Sequence, residues 1–109
     1  MTKISILGCG WLGFPLAKAL LSKGLSVKGS TTSSEKLATL EKAGITPFLI
    51  TLSENKTTGN VTDFLENSEI LIIDIPPKLR GSEKENFVAK IKNVIPFIEN
   101  SSVKNVLFI

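Results

Sequence analysis

The sequence has no histidine and no tyrosine, and it has a single cysteine, Cys9, among its 109 residues. The lack of histidine excludes a histidine general base, a histidine metal ligand and a Ser-His-Asp triad within this chain. One cysteine without histidine argues against a zinc site, so we predict no bound metal. A lone cysteine also excludes an internal disulfide and fits a reducing cytosol, so we expect a cytoplasmic protein.

Long hydrophobic runs and early acidic residues are missing as well. No apolar run approaches the roughly 20 residues that a membrane span needs, and the stretch after Lys3 is too short for a signal peptide, so we expect no membrane partner. No acidic residue precedes Glu35, although four lysines do. Such a segment suits a small anionic ligand, or it is an ordinary solvated surface. Its charges are too sparse, and too poor in aromatic neighbours, for nucleic acid.

The composition is that of one globular domain spanning residues 1–109. Hydrophobic residues make up 42% and charged residues 21% of the 11.8 kDa chain, and the net charge is +3. These proportions allow a packed core and argue against disorder.

Apolar spacing alternates between the strand and helix types along the chain. Glycines end several segments, Pro47 places the third strand at a sheet edge, and the run Ile70–Ile73 is typical of a central parallel strand. We therefore predict a three-layer α/β domain of the Rossmann type, with a parallel sheet of about five strands in the order 3-2-1-4-5. The predicted strands are 3–7, 25–29, 45–52, 69–75 and 103–109, and the predicted helices are 11–22, 35–43 with Ser33 or Ser34 as N-cap, 61–67, and 83–100 with a kink at Pro96.

A glycine motif joins the first strand to the first helix. Gly8, Gly10 and Gly13 form the pattern G-x-G-x-x-G, with Trp11 and Leu12 between the last two glycines. The first glycine permits the tight turn, the second lets a pyrophosphate approach the backbone, and the third lets the helix pack closely. The helix N-terminus offers free N–H groups to phosphates. Because the flanking strand and helix agree with the motif, it predicts a dinucleotide site at Gly8, Gly10, Trp11, Leu12 and Gly13.

The end of the second strand indicates which dinucleotide is bound. An NAD site usually has a carboxylate there, about 20 residues past the glycines, for the ribose 2′-hydroxyl. This sequence has hydroxyls instead, and Lys36 could add a positive charge. We therefore predict NADP in preference to NAD, although Ser33 could serve only as a helix cap and the threonines only as a turn. The predicted 2′-phosphate residues are Ser30, Thr31, Thr32, Ser33 and Lys36.

Five further residues lie at or just after the ends of strands. Asp74 lies at the end of the predicted fourth strand and could be a catalytic carboxylate, but a polar strand end is the favoured interpretation. We expect Ile75, Pro76 and Pro77 after it to line the cofactor pocket. Cys9 could be a reactive thiol at a helix start, but a packed small side chain is favoured. We assign no catalytic residue.

The last predicted strand is apolar and ends with the sequence. Because strand 5 of such a fold leads into a functional loop, the chain is either a fragment of a longer protein or a minimal binding module. An uncovered apolar edge strand also predicts a homo-oligomer that associates through this edge.

Residues 4–17, the run Gly29–Thr32 and the triplet 35–37 resemble NAD(P)-dependent epimerase/dehydratase-like proteins, which are atypical extended short-chain dehydrogenase/reductases. The resemblance covers the whole chain but only the N-terminal half of such a protein. It implies the NAD(P)-binding domain of an oxidoreductase or of a nucleotide-sugar epimerase/dehydratase-like protein.

The chain also departs from this group. Members often have an arginine after the Thr-Thr pair, where this chain has Ser33, and some carry a Tyr-x-x-x-Lys pair that this chain lacks. The catalytic half is therefore expected to be absent. The glycine loop and Pro76-Pro77 also resemble the cofactor domain of 6-phosphogluconate dehydrogenase-type enzymes, and a non-catalytic dinucleotide-binding or sensing module is a further alternative.

Overall fold

The computed structural model describes residues 2–9, 13–52, 57–74 and 87–109. Within these ranges, strands and helices alternate along the chain, as their apolar spacing predicts. The strands are β1 (Lys3–Leu7), β2 (Ser26–Thr31), β3 (Thr46–Leu49), β4 (Thr51–Leu52), β5 (Thr57–Thr58), β6 (Ile70–Ile73) and β7 (Asn105–Phe108). The helices are α1 (Gly13–Ser22), α2 (Lys36–Lys42), α3 (Val61–Leu65) and α4 (Phe87–Glu99).

The main sheet has five parallel strands in the order β3-β2-β1-β6-β7. This order confirms the predicted 3-2-1-4-5 arrangement, with β6 and β7 as the fourth and fifth strands. Ile4 of β1 pairs with Val27 on one side and with Ile70 on the other, so β1 is central. The chain builds outward from β1 to β3, then returns to add β6 and β7 on the other side. Such a reversal leaves a crevice at the carboxyl ends of β1 and β6.

Hydrophobic side chains from the two faces of the sheet form two cores. Because successive strand residues point to opposite faces, Ile4 and Ile6 of β1 pack with Ala17 of α1 and Leu40 of α2. On the other face, Leu7 packs with the α3 and α4 residues, which include Phe64 and Val94. The sheet therefore lies between two helical layers, which is the three-layer architecture that the sequence predicts.

A buried polar contact joins β1 to the segment around α3. The Ser5 hydroxyl donates to the Phe64 carbonyl at 2.6 Å and lies 2.6 Å from the Ser68 hydroxyl. Both serines are fully buried. In turn, the Ser102 hydroxyl donates to the Ser68 carbonyl at 2.8 Å. These bonds connect the central strand, the end of α3 and the turn before β7 across long sequence separations.

The predicted third strand is divided by the structure. β3 ends at Leu49, and the last two residues of the predicted strand form β4, which pairs antiparallel with β5 outside the predicted strands. Gly59, just after β5, allows this segment to lie close to the end of β3. It has a φ of 116°, and a Cβ at this position would lie 2.3 Å from the Leu49 carbonyl oxygen. Only glycine lets the two segments meet here, and the β-branched Thr57 and Thr58 suit the strand.

The predicted serine cap of α2 is wrong. The helix is preceded by Glu35, which has helical dihedrals and makes no side-chain capping bond. Instead, Ser33 and Ser34 contribute their carbonyls, which accept from the N–H groups of Lys36 and Leu37 at 3.1 and 3.3 Å. A turn therefore leads directly into the helix, and the serine side chains remain available for other contacts.

Other boundaries agree more closely with the sequence. β2 continues two residues past its predicted end because Thr31 pairs with Leu49, and Pro47 does lie on an edge strand. Pro96 lies inside α4, and the predicted helix start at residue 83 is outside the described residues. No helix in the described ranges is long and apolar enough to cross a membrane.

Replacing Ser5 with alanine should destabilise the fold by about 1 to 3 kcal/mol, because the buried Phe64 carbonyl and Ser68 hydroxyl each lose a partner. The free energy of unfolding is measured by denaturant titration. Ser34→Ala, at an exposed position, is the matched control and should change it by less than about 0.5 kcal/mol. Equal values for the two variants would contradict the importance of the buried pair.

Candidate functional site

The loop after β1 is fixed by Ser30, near the end of β2. The Gly8 N–H donates to the Ser30 hydroxyl at 2.8 Å, and the Cys9 N–H donates to the Ser30 carbonyl at 2.7 Å. Gly8 has a φ of 99°, which lies in the region that favours glycine. The first glycine of the motif therefore makes the turn that the sequence predicts, and Ser30 holds this turn against β2.

Gly13 places the start of α1 directly against this loop. A Cβ at Gly13 would lie 2.4 Å from the Gly8 carbonyl oxygen and 3.2 Å from Oδ2 of Asp74. No side chain fits so close to a backbone oxygen, so the third glycine performs the packing role that the motif predicts. Gly10, Trp11 and Leu12 lie outside the described residues.

Cys9 is packed beneath the loop. Its side chain is 3% exposed, and burial, together with the negative charge of Asp74, raises the pKa of its thiol to about 11. A Cβ at Gly29 would lie 2.6 Å from the Cys9 sulfur and 2.9 Å from Ile45 Cγ2. Cys9 is therefore a packed thiol, as the favoured interpretation holds. Gly29 is a residue that the sequence prediction omitted, although a glycine inside a strand signals close approach.

The hydroxyl residues at the end of β2 divide into two groups. Ser30 and Thr31 are 2% and 7% exposed, and the Thr31 hydroxyl accepts from the Ser33 N–H at 3.1 Å. In contrast, Thr32 and Lys36 are exposed and Ser33 is half-buried. The hydroxyls of the buried pair hold the turns, whereas the other three side chains are at least partly exposed to solvent.

The end of β6 lies on the other side of the glycine loop. The Asp74 N–H donates to the Leu7 carbonyl at 2.9 Å, which extends the pairing of β6 with β1 by one residue. Asp74 is half-buried. Ile75, Pro76 and Pro77 are outside the described residues, so their predicted place in the pocket stays a prediction.

These features form one site at the carboxyl ends of β1, β2 and β6. A dinucleotide fits this arrangement because the glycine turn is held in place and the α1 N-terminus faces it. No group of three or more potential metal-ligating side chains occurs in the part of the chain that the structure describes.

A separate open groove of about 590 Å³ lies beside the last turns of α3 and α4, where Glu66, Asn67, Asn100 and Ser102 contribute to its lining. Since α3 leads into β6 and α4 leads into β7, this groove lies at the amino ends of the strands. It is therefore remote from the glycine loop and plays no part in the site.

The stability of the protein should fall as the pH rises from about 9 to about 11. The Cys9 thiol keeps its proton up to a pKa of about 11 in the folded state, whereas its ordinary value is 9.0. The buried neutral thiol therefore stabilises the fold fully below pH 9, and this contribution is lost through the folded pKa.

Cys9→Ala tests this prediction, because the variant keeps all lysines and loses only the thiol titration. The difference in the free energy of unfolding between wild type and variant should shrink over this pH interval. A difference that is constant with pH would contradict the burial of the thiol.

The chain is 27% identical over 109 residues to protein YeeZ of Escherichia coli strain K12, and the aligned region is 99% of this chain and 40% of YeeZ. The chain thus spans about two fifths of the length of this curated relative.

Solved structures share the fold. Yeast methylglyoxal/isovaleraldehyde reductase, solved with NADPH, superposes with a TM-score of 0.74 at 18% identity over 98% of this chain and 36% of that chain. UDP-N-acetylglucosamine 4-epimerase from Bacillus cereus superposes with a TM-score of 0.70 at 11% identity over 99% and 35% of the two chains. These likenesses confirm the Rossmann-type fold that the sequence predicts.

The family comparison matches residues 3–94, from the first residue of β1 into α4. This range includes the glycine loop, the turn that leads from β2 into α2, and the end of β6. The matched family is described as NADP oxidoreductase, coenzyme F420-dependent. Since the match covers most of the sequence, the chain belongs to this family.

Proposed function

We propose that this chain binds NADP(H) in preference to NAD(H), as the cofactor-binding part of an oxidoreductase or of a nucleotide-sugar epimerase/dehydratase-like protein. The observation that carries the proposal is the glycine turn, which is held between Ser30 of β2 and the start of α1. The family match and the NADPH complex of the yeast reductase support it. When bound, the cofactor supplies a hydride donor or acceptor.

The pyrophosphate is proposed to lie over the glycine loop. Gly13 has no side chain where α1 meets the Gly8 carbonyl, and the first N–H groups of α1 are proposed to bind the phosphates. Gly10 is proposed to lie beneath the pyrophosphate, with Trp11 and Leu12 beside it, by the logic of the motif.

The 2′-phosphate is proposed to lie beside Thr32, Ser33 and Lys36. These side chains are exposed or half-exposed at the end of β2, and Lys36 begins α2, so hydroxyl donors and a positive charge are available there. Ser30 and Thr31 act indirectly in this proposal, because their hydroxyls hold Gly8 and Ser33. No carboxylate precedes Glu35, so nothing at the strand end repels a phosphate.

The nicotinamide half is proposed to extend past β6, beside Ile75, Pro76 and Pro77. This placement follows from the strand order, since β6 adjoins β1 on the side opposite to β2. The sequence supplies no histidine or tyrosine for proton transfer. We therefore assign binding and orientation to this chain, and we propose that the 109 residues alone have no dehydrogenase or epimerase turnover.

Thr32→Asp should reverse the cofactor preference. Wild type should bind NADP(H) several-fold more tightly than NAD(H), a difference on the order of 1 kcal/mol. A carboxylate at position 32 would repel the 2′-phosphate and could accept from the 2′-hydroxyl of NAD instead. Calorimetric titration of both cofactors measures the two affinities.

The matched control is Thr62→Asp, the same substitution at an exposed position of α3 near the amino ends of the strands. It should leave the preference unchanged. Equal affinities of the wild type, or tighter NAD, would refute NADP preference. Absence of binding of either cofactor at millimolar concentration would refute the dinucleotide site itself.

We also propose that the chain self-associates through β7. Its Leu107, Phe108 and Ile109 are 52%, 59% and 57% exposed, and on the described residues β7 pairs only with β6. Because neighbouring residues of a strand face opposite sides, both faces of this edge are apolar and uncovered. A second copy is proposed to pair with it, since such an edge is a template for another strand.

Sedimentation at tens of micromolar should show a dimer or higher oligomer. Leu107→Lys should convert it to a monomer, because a lysine on an edge strand opposes pairing. Leu49→Lys is the matched control, at a 44% exposed leucine on the opposite edge strand, and it should leave the oligomer intact. A monomeric wild type would contradict the proposal.

A further inference from the structure

Asp74 brings a negative charge to the start of α1. Its Oδ2 would lie 3.2 Å from a Cβ placed on Gly13, the first residue of that helix. The carboxylate also lies near enough to Cys9 to contribute to the raised pKa of that thiol. Two separate observations therefore place this side chain against the glycine loop and the helix start.

No hydrogen bond or ion pair of the Asp74 carboxylate occurs within residues 2–9, 13–52, 57–74 and 87–109. Its backbone, in contrast, is bonded to Leu7. A carboxylate at a helix N-terminus is stabilised by the partial positive charge there. A pyrophosphate bound at this helix start would be stabilised by the same partial charge.

We infer that Asp74 determines the affinity of the dinucleotide site by opposing the negative charge of the pyrophosphate. The inference rests on the proposed function, because it concerns the same loop. Both anions lie at the N-terminus of α1, and the half-buried position of Asp74 limits screening by solvent. The residue thus keeps the dinucleotide weakly bound and readily exchanged, while the hydroxyls at the end of β2 select it.

Asp74→Asn tests this role, because the amide has almost the same shape and no charge. We expect NADP+ and NADPH to bind the variant about three- to tenfold more tightly than wild type at low salt, as removal of one nearby negative charge implies. The gain should be similar for both redox forms, since the pyrophosphate is common to them. It should shrink at high salt, where screening weakens the repulsion.

Glu69→Gln is the matched control. Glu69 is exposed and immediately precedes β6, at the opposite end of the strand that leads to Asp74. Like Asp74→Asn, this variant removes one negative charge, so the two variants have the same net charge. Its affinity should stay within about twofold of wild type. Titration of the Cys9 thiol gives a readout that needs no cofactor, because its pKa should fall in Asp74→Asn and remain unchanged in Glu69→Gln.

The outcomes separate the inference from the proposed function. Tighter binding by Asp74→Asn than by wild type, with the affinity of Glu69→Gln unchanged, supports the inference. Unchanged or weaker binding by this variant, with wild type binding intact, overturns it and leaves the proposed function standing. If neither protein binds either redox form, both are overturned.

Discussion

The two hydrogen bonds from the Gly8–Cys9 backbone to Ser30 are the contacts on which the candidate site depends. They join the turn after the first strand to the end of the second, 22 residues away in the sequence. With the turn held there, α1 begins directly against the Gly8 carbonyl, which only a glycine at position 13 allows. The same closeness forces Cys9 under the loop, where only a glycine at position 29 leaves space for the sulfur. Gly13 is therefore required by the position of the Gly8 carbonyl, and Gly29 by the position of the Cys9 sulfur.

The central strand supports this site from both faces. Ile4 and Ile6 of β1 bury their side chains under α1 and α2, and Leu7 belongs to the core under α3 and α4. The Ser5 hydroxyl, also on β1, is hydrogen-bonded to the Phe64 carbonyl and the Ser68 hydroxyl. This polar group is therefore buried in the centre of the sheet with hydrogen-bond partners. Such a buried, satisfied pair fixes the position of α3 relative to β1 more specifically than apolar contacts alone.

The site is electrically asymmetric about the glycine loop. On the β2 side, hydroxyls and Lys36 lie at the start of α2, and no acidic residue precedes Glu35. On the β6 side, Asp74 faces the start of α1. A dinucleotide across the loop would meet donors at one end and a carboxylate near its middle, so selectivity and affinity would be controlled by different strands. This separation follows from the strand order, which puts β2 and β6 on opposite sides of β1.

The sequence by itself determined the architecture and the place of the glycine turn. Alternating apolar periods predict the five parallel strands and their order, Pro47 predicts an edge strand, and the spacing of Gly8, Gly10 and Gly13 predicts a turn that receives a helix. These features depend on neighbouring residues, so local pattern is sufficient. Only the tertiary structure decided that Ser30 is a buried partner of Gly8, that Asp74 reaches Gly13, and that Gly59 allows a β4–β5 hairpin. The α2 start was likewise decided by a backbone turn rather than by a serine side chain. Apart from that turn, these contacts join residues far apart in the chain, and whether a hydroxyl faces a ligand or a backbone N–H depends on which strands the fold brings together.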